Sequence, residues 1–363
     1  MTKISLLVTV LMHLSVCTPL LSADEDTKFI IGGYIDAYIA TDNGISRTNM
    51  KDDTNMRQFT FVSPRKNEFA INTAQVTGKI NYKGIVRSIM TFHVGDLHKT
   101  AYSATGVQMP IVQQANAGIK IFDNLWLDAG YFLTHIGGEG MLPKDNWLTS
   151  HSLVTYFEPF FQAGIRASYE TDDLTGQFWV LNGNGIFDEN NYNKTFGGFL
   201  SYRFADYITV SYAGVIGNEE PGNPNDAITH QLHNLVASLS ITKEFAVKLQ
   251  GDLALKDVKD ANGKIINGQY LGVFATAHYE FIKKLSGTFR FAFVDNEDGV
   301  YAPALSGIDL TLGCEYKPYD NSYIRLEGRM LNFGDNYKLF NMNSGKPTNS
   351  RSDFILNFGV WIN

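Results

Sequence analysis

The sequence predicts an all-β protein: a single closed antiparallel transmembrane β-barrel of about sixteen strands, with short periplasmic turns and long extracellular loops. Three observations predict this fold. Apolar and charged side chains alternate with a period of two, the strands are long enough to cross a bilayer, and the connections alternate between short and long. The composition agrees, because aromatic residues make up 13% of the chain and glycine (33) outnumbers proline (10), as suits strands joined by tight turns.

The alternation is clear in segments 245–257 and 322–333, where apolar and polar residues occupy opposite faces. In the second segment Arg325, Glu327 and Arg329 share one face. Three charged side chains in a row on one strand face need water. We therefore predict that the apolar face contacts lipid and that the charged face lines an aqueous interior.

The same pattern predicts sixteen strands along the chain. They lie near 28–41, 68–82, 84–97, 110–122, 124–136, 158–170, 173–184, 194–204, 206–217, 228–242, 244–257, 268–281, 284–295, 305–317, 321–333 and 351–362. Soluble sheets have strands of about 5–6 residues, whereas a tilted strand needs about 9–11 residues to cross a bilayer. In a bilayer the backbone N–H and C=O groups of an edge strand would have no hydrogen-bond partner. The strands are therefore expected to close into a cylinder.

Short turns and long polar loops alternate between these strands. The short turns are predicted at 82–84, 122–124, 171–173, 204–206, 242–244, 282–283 and 318–320. The long loops are predicted near 42–67, 98–109, 137–157, 185–193, 218–227, 258–267, 296–304 and 334–350. Aromatic residues gather beside the short turns, as at a membrane interface. They are Tyr82, Phe122, Tyr169, Phe204, Tyr207, Phe281, Tyr316 and Tyr319.

Residues 1–23 have the pattern of a secretory signal peptide, with a positive charge, an apolar run and a small-residue exit at Ala23. We predict cleavage after Ala23, which leaves 24–363 as one barrel in the outer membrane of a Gram-negative cell. A lipoprotein cleavage box at Cys17 is the alternative, but Val16 is a poor residue before such a cysteine.

Charge and motifs exclude several classes of protein. The 30 Lys+Arg are scattered among 37 Asp+Glu, so no nucleic-acid partner is expected. After the signal peptide Cys314 is the one cysteine, which excludes an intrachain disulfide. The histidines lack metal-binding spacing, and the acidic turns at 257–263 and 295–299 lack the full calcium-loop spacing. We therefore predict no metal, no cofactor, no catalytic residue and no enzymatic activity.

Several runs of residues resemble one family, the OmpL-like β-barrel porins (porin type 2). They include Gly33-Tyr34-Ile35-Asp36-Ala37-Tyr38, Gln114-Ala115-Asn116-Ala117-Gly118, Leu125-Trp126-Leu127-Asp128-Ala129-Gly130, Thr134-His135-Ile136-Gly137, Pro143-Lys144-Asp145-Asn146-Trp147, Tyr156-Phe157-Glu158-Pro159 and Leu181-Asn182-Gly183-Asn184-Gly185-Ile186-Phe187. The resemblance spans nearly the whole mature chain and is sharpest in 113–200. It implies an outer-membrane location and a porin-like role, and it carries over no catalytic residues.

The charged strand faces supply the predicted pore lining. These candidates are Asp36, Lys79, Arg87, His93, Lys120, Asp128, Arg166, Arg203, Lys248, Asp252, Lys256, Arg290, Asp309, Glu315, Arg325, Glu327 and Arg329. Because basic and acidic residues are mixed, we predict weak ion selectivity without assigning its sign. The alternative is that the same charges form a salt-bridged plug and close the barrel.

The loop at 137–157 is the predicted constriction. It carries Glu139, Lys144, Asp145 and His151, and Asp145 is expected to cap a short helix that folds inward and narrows the pore. An outward-facing loop is the alternative.

These features predict passive diffusion of small hydrophilic solutes through an outer-membrane channel. The alternative is a non-conducting barrel that serves as an adhesin or surface scaffold, with binding through loops such as 42–67 or 334–350. Outer-membrane lipid is the expected partner of the exterior. A homo-oligomer would also use that apolar exterior, so the sequence leaves the oligomeric state open.

Overall fold

In the computed structural model, which describes residues 26–44, 56–102, 111–218, 229–259, 265–342 and 345–362, sixteen antiparallel strands close into one barrel. The barrel strands are β1 Thr27–Asp42, β2 Phe69–Tyr82, β3 Val86–Val94, β4 Val112–Phe122, β5 Leu125–Leu133, β6 Phe161–Glu170, β7 Leu174–Leu181, β8 Thr195–Ala205, β9 Ile208–Asn218, β10 Thr229–Ser240, β11 Phe245–Lys259, β12 Ile265–Ile282, β13 Leu285–Asn296, β14 Leu305–Tyr316, β15 Ser322–Phe333 and β16 Ser350–Ile362. Each strand pairs with its chain neighbours, and β1 pairs with β16. The predicted fold class and strand count are confirmed.

Several predicted strands are shorter in the structure. The strand predicted at 84–97 ends at Val94, because Gly95 takes a φ of 131° and a short helix, Asp96–Ala101, follows. The strands predicted at 124–136 and 158–170 become β5 and β6, because the connection between them leaves the barrel wall. Within the described ranges, none of the helices has the length and apolar character needed to cross a membrane.

The barrel exterior is apolar, and the rest of the described chain does not cover it. Ile31, Phe69, Leu312 and Leu326 expose 58%, 83%, 66% and 60% of their surface. The aromatic residues predicted beside the short turns are all exposed. Cys314 also lies on the exposed face of β14. Such a surface is unstable in water and suits the hydrocarbon and interface of a bilayer.

A buried polar cluster fastens the seam where the barrel closes. The Asp36 carboxylate on β1 accepts hydrogen bonds from Asn72 Nδ2 on β2 and Asn357 Nδ2 on β16, both at 2.7 Å. It also accepts from the hydroxyls of Tyr34 and of Tyr323 on β15. Because four strands contribute to one fully satisfied network, the cluster fixes the register across the seam.

Candidate functional site: the barrel interior

The connection between β5 and β6, residues 134–160, lies across the barrel interior, and we call it the inner loop. Its central residues Ser152 and Leu153 expose no surface. At the point where the inner loop leaves the wall, Gly137 has a φ of 94°, and a Cβ there would collide with the Glu158 carboxylate. A glycine is therefore needed for the turn into the lumen. The loop lies inside the barrel, and its role as a constriction stays a prediction.

The inner loop has two 3-10 turns, Pro143–Asp145 and Thr155–Phe157, and no helix between them. The prediction that Asp145 caps a helix running toward Tyr156 is wrong. The Asp145 carboxylate instead accepts a hydrogen bond from Lys144 Nζ at 3.0 Å. A helix is absent because several backbone groups that it would pair internally bind side chains of the barrel wall.

Two carboxylates of the wall accept hydrogen bonds from backbone amides of the inner loop. Glu327 on β15 accepts from the amides of Thr149 at 2.8 Å and Ser150 at 3.2 Å. Asp309 on β14 accepts from the amide of Leu153 at 3.0 Å. Since a buried amide must have a partner, these two carboxylates hold the middle of the inner loop against the wall.

Two arginines of the wall donate hydrogen bonds to backbone carbonyls of the same loop. Arg325 on β15 donates to the carbonyl oxygens of Pro143 and Asn146, each at 2.7 Å. Arg290 on β13 donates to the carbonyl oxygen of Ser150 at 2.6 Å. The wall thus supplies both donors and acceptors to a segment that lacks secondary structure of its own.

Ion pairs connect these anchors into a network. Arg290 lies 2.8 Å from the Glu139 carboxylate and 3.5 Å from that of Asp309, which Arg329 also contacts at 2.9 Å. Burial alone would raise the pKa of Glu139, but the positive charge of Arg290 and hydrogen bonds to the carboxylate lower this pKa to about 2. Glu139 is therefore ionised at neutral pH. It belongs to the set of polar contacts that hold the inner loop in place, which we call the anchor.

The two histidines of the inner loop are neutral at pH 7. Burial lowers the pKa of His135 to about 4, and its ring stacks on Trp179 with the ring centroids 4.7 Å apart. Burial also lowers the pKa of His151, whose Nε2 donates to the Gly140 carbonyl oxygen at 2.9 Å. At neutral pH His135 therefore serves as a packing group and His151 as a hydrogen-bonding group.

Apolar side chains complete the contact between the inner loop and the wall. Leu153, Val154 and Phe157 form one buried cluster with residues that the strands point inward, among them Phe274 on β12 and Val294 on β13. The barrel thus holds a small hydrophobic core of its own at this level. Removing such apolar area from water stabilises the inward position of the loop.

A second segment, residues 56–68, covers the inner loop on the side of the long loops, and we call it the cover segment. Its Phe61 ring stacks on Tyr156 of the inner loop at a centroid distance of 5.0 Å. Its Arg57 pairs with Asp353 on β16 at 3.2 Å. The interior is consequently filled by two layers of chain at this level.

Open space remains on both sides of these layers. On the short-turn side a cavity of about 410 Å³ lies against β1, β2, β3, β4 and β6, and a cavity of about 140 Å³ continues from it toward the inner loop. The two share Lys79 in their linings. On the long-loop side a cavity of about 620 Å³ lies between the cover segment and Tyr156. Among the described residues it shares no lining residue with the other two, and the packed layers lie between them.

The wall beside the larger of the short-turn cavities carries a second charge cluster. Asp128 on β5 lies 2.7 Å from the Arg87 guanidinium and 3.0 Å from that of Arg166. Arg87 also pairs with Glu170 at 3.0 Å and lies over the Trp126 ring at 4.3 Å. The side chains of Arg87 and Arg166 are 25% and 19% exposed, so these charges still face the open space.

The predicted pore-lining residues divide into two groups in the structure. One group points into the barrel but is buried: Asp36, His93, Asp128, Asp252, Arg290, Asp309, Glu315, Arg325, Glu327 and Arg329. The prediction that the Arg325, Glu327 and Arg329 row faces water is therefore wrong, although the row does lie on the interior face. The inner loop and the cover segment occupy the position that water was expected to fill.

The other group keeps contact with open space. It comprises Lys79, Arg87, Lys120, Arg166, Lys248, Lys256 and Arg203. Lys248 donates to the Gly138 carbonyl oxygen of the inner loop, and Arg203 pairs with Asp173 at the short-turn rim. Among the constriction candidates, Glu139 and His151 belong to the anchor, whereas Lys144 and Asp145 border the smaller short-turn cavity.

Several residues of the barrel interior were not among the predicted pore-lining residues. Lys28, Glu170, Arg351 and Asp353 occupy interior positions of their strands, at the same alternation as the residues identified there. Strand periodicity extended to the strand ends could have found them. Arg57 could not have been found this way, because it lies in an irregular segment.

The acidic turns contain no metal site in the part of the chain that the structure describes, where no group of three or more His, Cys, Asp or Glu side chains could hold an ion. In the 295–299 turn, the Asp298 carboxylate accepts a hydrogen bond from the Gln269 amide at 3.0 Å. Part of the 257–263 turn lies outside the described residues.

Glu158, at the end of the inner loop, is a carboxyl group whose burial opposes ionisation. Burial and the neighbouring Asp252 carboxylate raise its pKa well above the ordinary value, while Gln250 hydrogen-bonds to it. The folded protein therefore holds this proton more tightly than the unfolded chain. Folding stability from this group is full below the ordinary pKa and is lost as pH rises toward the folded-state pKa.

We expect Glu158→Gln to be more stable than the parent protein at pH 8, by more than the about 0.5 kcal/mol typical of surface substitutions. The parent should lose stability between pH 5 and pH 8 and the variant should lose less. Denaturant unfolding in detergent at both pH values measures this, with the exposed Glu189→Gln as the control. Equal pH dependence of parent and Glu158→Gln would contradict the assignment.

The chain is similar to membrane channels of known structure. Residues 28–362 match the model of a family described as "Putative beta-barrel porin-2, OmpL-like". The anion-selective porin from Comamonas acidovorans has 11% sequence identity and a TM-score of 0.60, over 93% of this chain and 100% of that one. OmpT of Vibrio cholerae has 12% identity and a TM-score of 0.60, over 93% and 99%. The outer membrane channel DcaP of Acinetobacter baumannii has 10% identity and a TM-score of 0.59, over 93% and 98%. No curated protein matches significantly.

Proposed function

We propose, since the chain belongs to this OmpL-like β-barrel porin family, that it is an outer-membrane channel through which small hydrophilic solutes diffuse passively. The observation that carries the proposal is the inner loop. It narrows the interior of a closed barrel whose exterior is apolar, and it leaves charged, accessible cavities beside it. A barrel of about sixteen strands is wide enough to hold water, so the loop rather than the wall would set the size limit.

On the short-turn side the open space follows β1 to β4. There the inner loop presents Lys144 and Asp145, and the wall presents Gln75, Thr77 and Lys79. Polar and charged side chains replace part of a solute's hydration shell and so allow passage without a large desolvation cost. Along β13 to β15 the inner loop is bonded to the wall, which directs solutes toward β1 to β4. Because the packed layers leave little room, we expect a small conductance.

Purified protein in a planar bilayer should give stepwise current increments smaller than those of a general-diffusion porin measured beside it. The steps should appear in salt solution without any energy source, because passage is passive. A heat-modifiable shift on gels confirms that the barrel is folded in the same preparation. Silence from folded protein, while the control porin conducts, would defeat the proposal.

A second candidate is a closed barrel that presents its loops to surface partners. The favouring observation is that the cavities on the two sides of the packed layers share no lining residue. In that case folded protein would be silent and would conduct only after part of the inner loop is removed. Binding to a partner would then depend on the loops at 42–67 or 334–350.

Export to the outer membrane is part of the proposal. The signal peptide at 1–23, its cleavage after Ala23 and the alternative lipidation at Cys17 lie outside the described residues. One solved structure of Vibrio cholerae OmpT is a trimer form. We extend this to a homo-oligomer of the present chain that uses the apolar barrel exterior.

A further inference from the structure

The larger cavity on the short-turn side has an unusual lining. Four cationic side chains border it: Lys28, Lys79, Arg87 and Arg166. No carboxylate is among the described residues that line it. The remaining lining includes Asn81 and Asn116, whose amides can donate hydrogen bonds. We call these four cations the basic cluster.

Nearby acidic groups offset only part of this charge. Asp128 and Glu170 pair with the two arginines of the basic cluster. Lys28 and Lys79 form no ion pair with any residue in the described ranges. Four positive charges against two negative charges leave a surplus on the two lysines.

The wall along β13 to β15 shows a contrasting use of the same residue types. Arg290, Arg325 and Arg329 are buried, paired with carboxylates and bonded to carbonyl oxygens of the inner loop and cover segment. Their charges are therefore committed to structure. The overall excess of acidic residues in the chain does not set the sign of the field in the accessible interior, because a solute meets the nearest unscreened charges.

Position strengthens the effect of the surplus. The basic cluster lies on the short-turn side of the inner loop, and Lys79 also borders the smaller cavity beside Lys144 and Asp145. A cavity with low-dielectric walls focuses the field of its charges, and rows of Lys or Arg favour anions in pores. Asp145 is the acid at this narrow point and is already paired with Lys144.

We propose that the basic cluster is a binding site for small anions that carry a carboxylate or phosphate group, and that it makes the open channel anion-selective. The second part rests on the proposed channel function. The ammonium groups of Lys28 and Lys79 supply the charge, and the Arg166 guanidinium, held by Asp128 through Nε and Nη2, has Nη1 as a further donor. The site thus selects solutes by charge on the short-turn side of the inner loop.

The test compares two double variants that lose the same charge at the same end of the barrel. Lys28→Gln/Lys79→Gln removes the surplus from the cavity, whereas Lys243→Gln/Lys283→Gln removes two exposed lysines from the short turns. Reversal potentials in a KCl gradient should show chloride preference in the parent. The ratio of chloride to potassium permeability should fall at least about threefold in the first variant and little in the second.

Binding of inorganic phosphate to the detergent-solubilised barrel, measured by calorimetry, provides a readout that needs no current. Phosphate should bind the parent and the short-turn variant and should bind Lys28→Gln/Lys79→Gln much more weakly. If the barrel is silent but binds phosphate in this pattern, the channel function fails and the anion site stands. Cation preference in the parent, or phosphate binding that is absent or equal in all three proteins, would overturn the proposal.

Discussion

Deletion of residues 141–153 should raise the single-channel conductance about threefold or more, because this segment lies across the barrel interior. The deleted residues include those held by Glu327, Asp309 and Arg325. Without them these side chains would face water, so the freed charges would be hydrated rather than buried without partners. The barrel should therefore still fold.

The measurement is the distribution of current steps in planar bilayers. A matched control is deletion of 189–192, an accessible part of the loop between β7 and β8, which should leave the steps unchanged. Heat-modifiable gel migration shows whether each variant forms a barrel. Unchanged step size in a folded 141–153 deletion would show that the inner loop is not the constriction.

The same deletion separates the two candidate functions. A narrow but open channel conducts before the deletion and conducts more after it. A closed barrel conducts only after it. Either result identifies the inner loop as the element that limits flow, and the parent protein alone decides between porin and scaffold.

Most of the fold could be predicted from the pattern of the strands. Side chains alternate with a period of two because one face of the barrel wall contacts lipid and the other faces the interior. The sequence of each strand therefore indicates which of its residues point inward. This is why residues such as Arg325 and Lys79 were both placed on the interior face. The closed order of sixteen strands follows from the same pattern and from the absence of tolerated edges in a bilayer.

The pattern could not predict which interior residues the inner loop and the cover segment would bury. Arg325 and Lys79 have the same pattern around them, yet Arg325 is buried and Lys79 is exposed. The difference depends on which wall the inner loop contacts, and that contact joins residues far apart in the chain. Irregular segments such as the cover segment have no periodicity that would reveal their position. The helix at Asp145 was predicted from neighbouring residues alone. The hydrogen bonds that side chains of the wall make to the loop backbone compete with a helix, and local sequence does not reveal them.

The interior of this barrel therefore uses one set of residue types for two purposes. Along β13 to β15, charged side chains act as hydrogen-bond partners for an irregular loop, and arginines pair with carboxylates there. Along β1 to β3 and on β6, similar side chains remain accessible and retain a surplus. The placement of a single loop thus divides the charged lining into an anchored part and an accessible part.

Replacement of Arg290 by alanine should cost about 3–5 kcal/mol of unfolding free energy, since it leaves a buried charge without its partner. Arg290 exposes no surface and donates to Glu139 at 2.8 Å, to the Ser150 carbonyl oxygen at 2.6 Å and to Thr311 Oγ1 at 3.1 Å. Its loss leaves the Glu139 carboxylate without this positive partner, whereas Asp309 still pairs with Arg329. The inner loop should loosen, and the current through open channels should fluctuate more.

Arg203→Ala is the matched control, because Arg203 also pairs with an aspartate, Asp173 at 2.9 Å, but at the exposed rim. Such a pair contributes about 0–1 kcal/mol. Denaturant unfolding of both variants in lipid vesicles measures the difference. Adding Glu139→Gln to Arg290→Ala removes the stranded charge and should restore part of the lost stability, which a general packing defect would not allow. If Arg290→Ala were as mild as Arg203→Ala, the buried ion pairs would not hold the inner loop, and its inward position would depend on Leu153, Val154 and Phe157 instead.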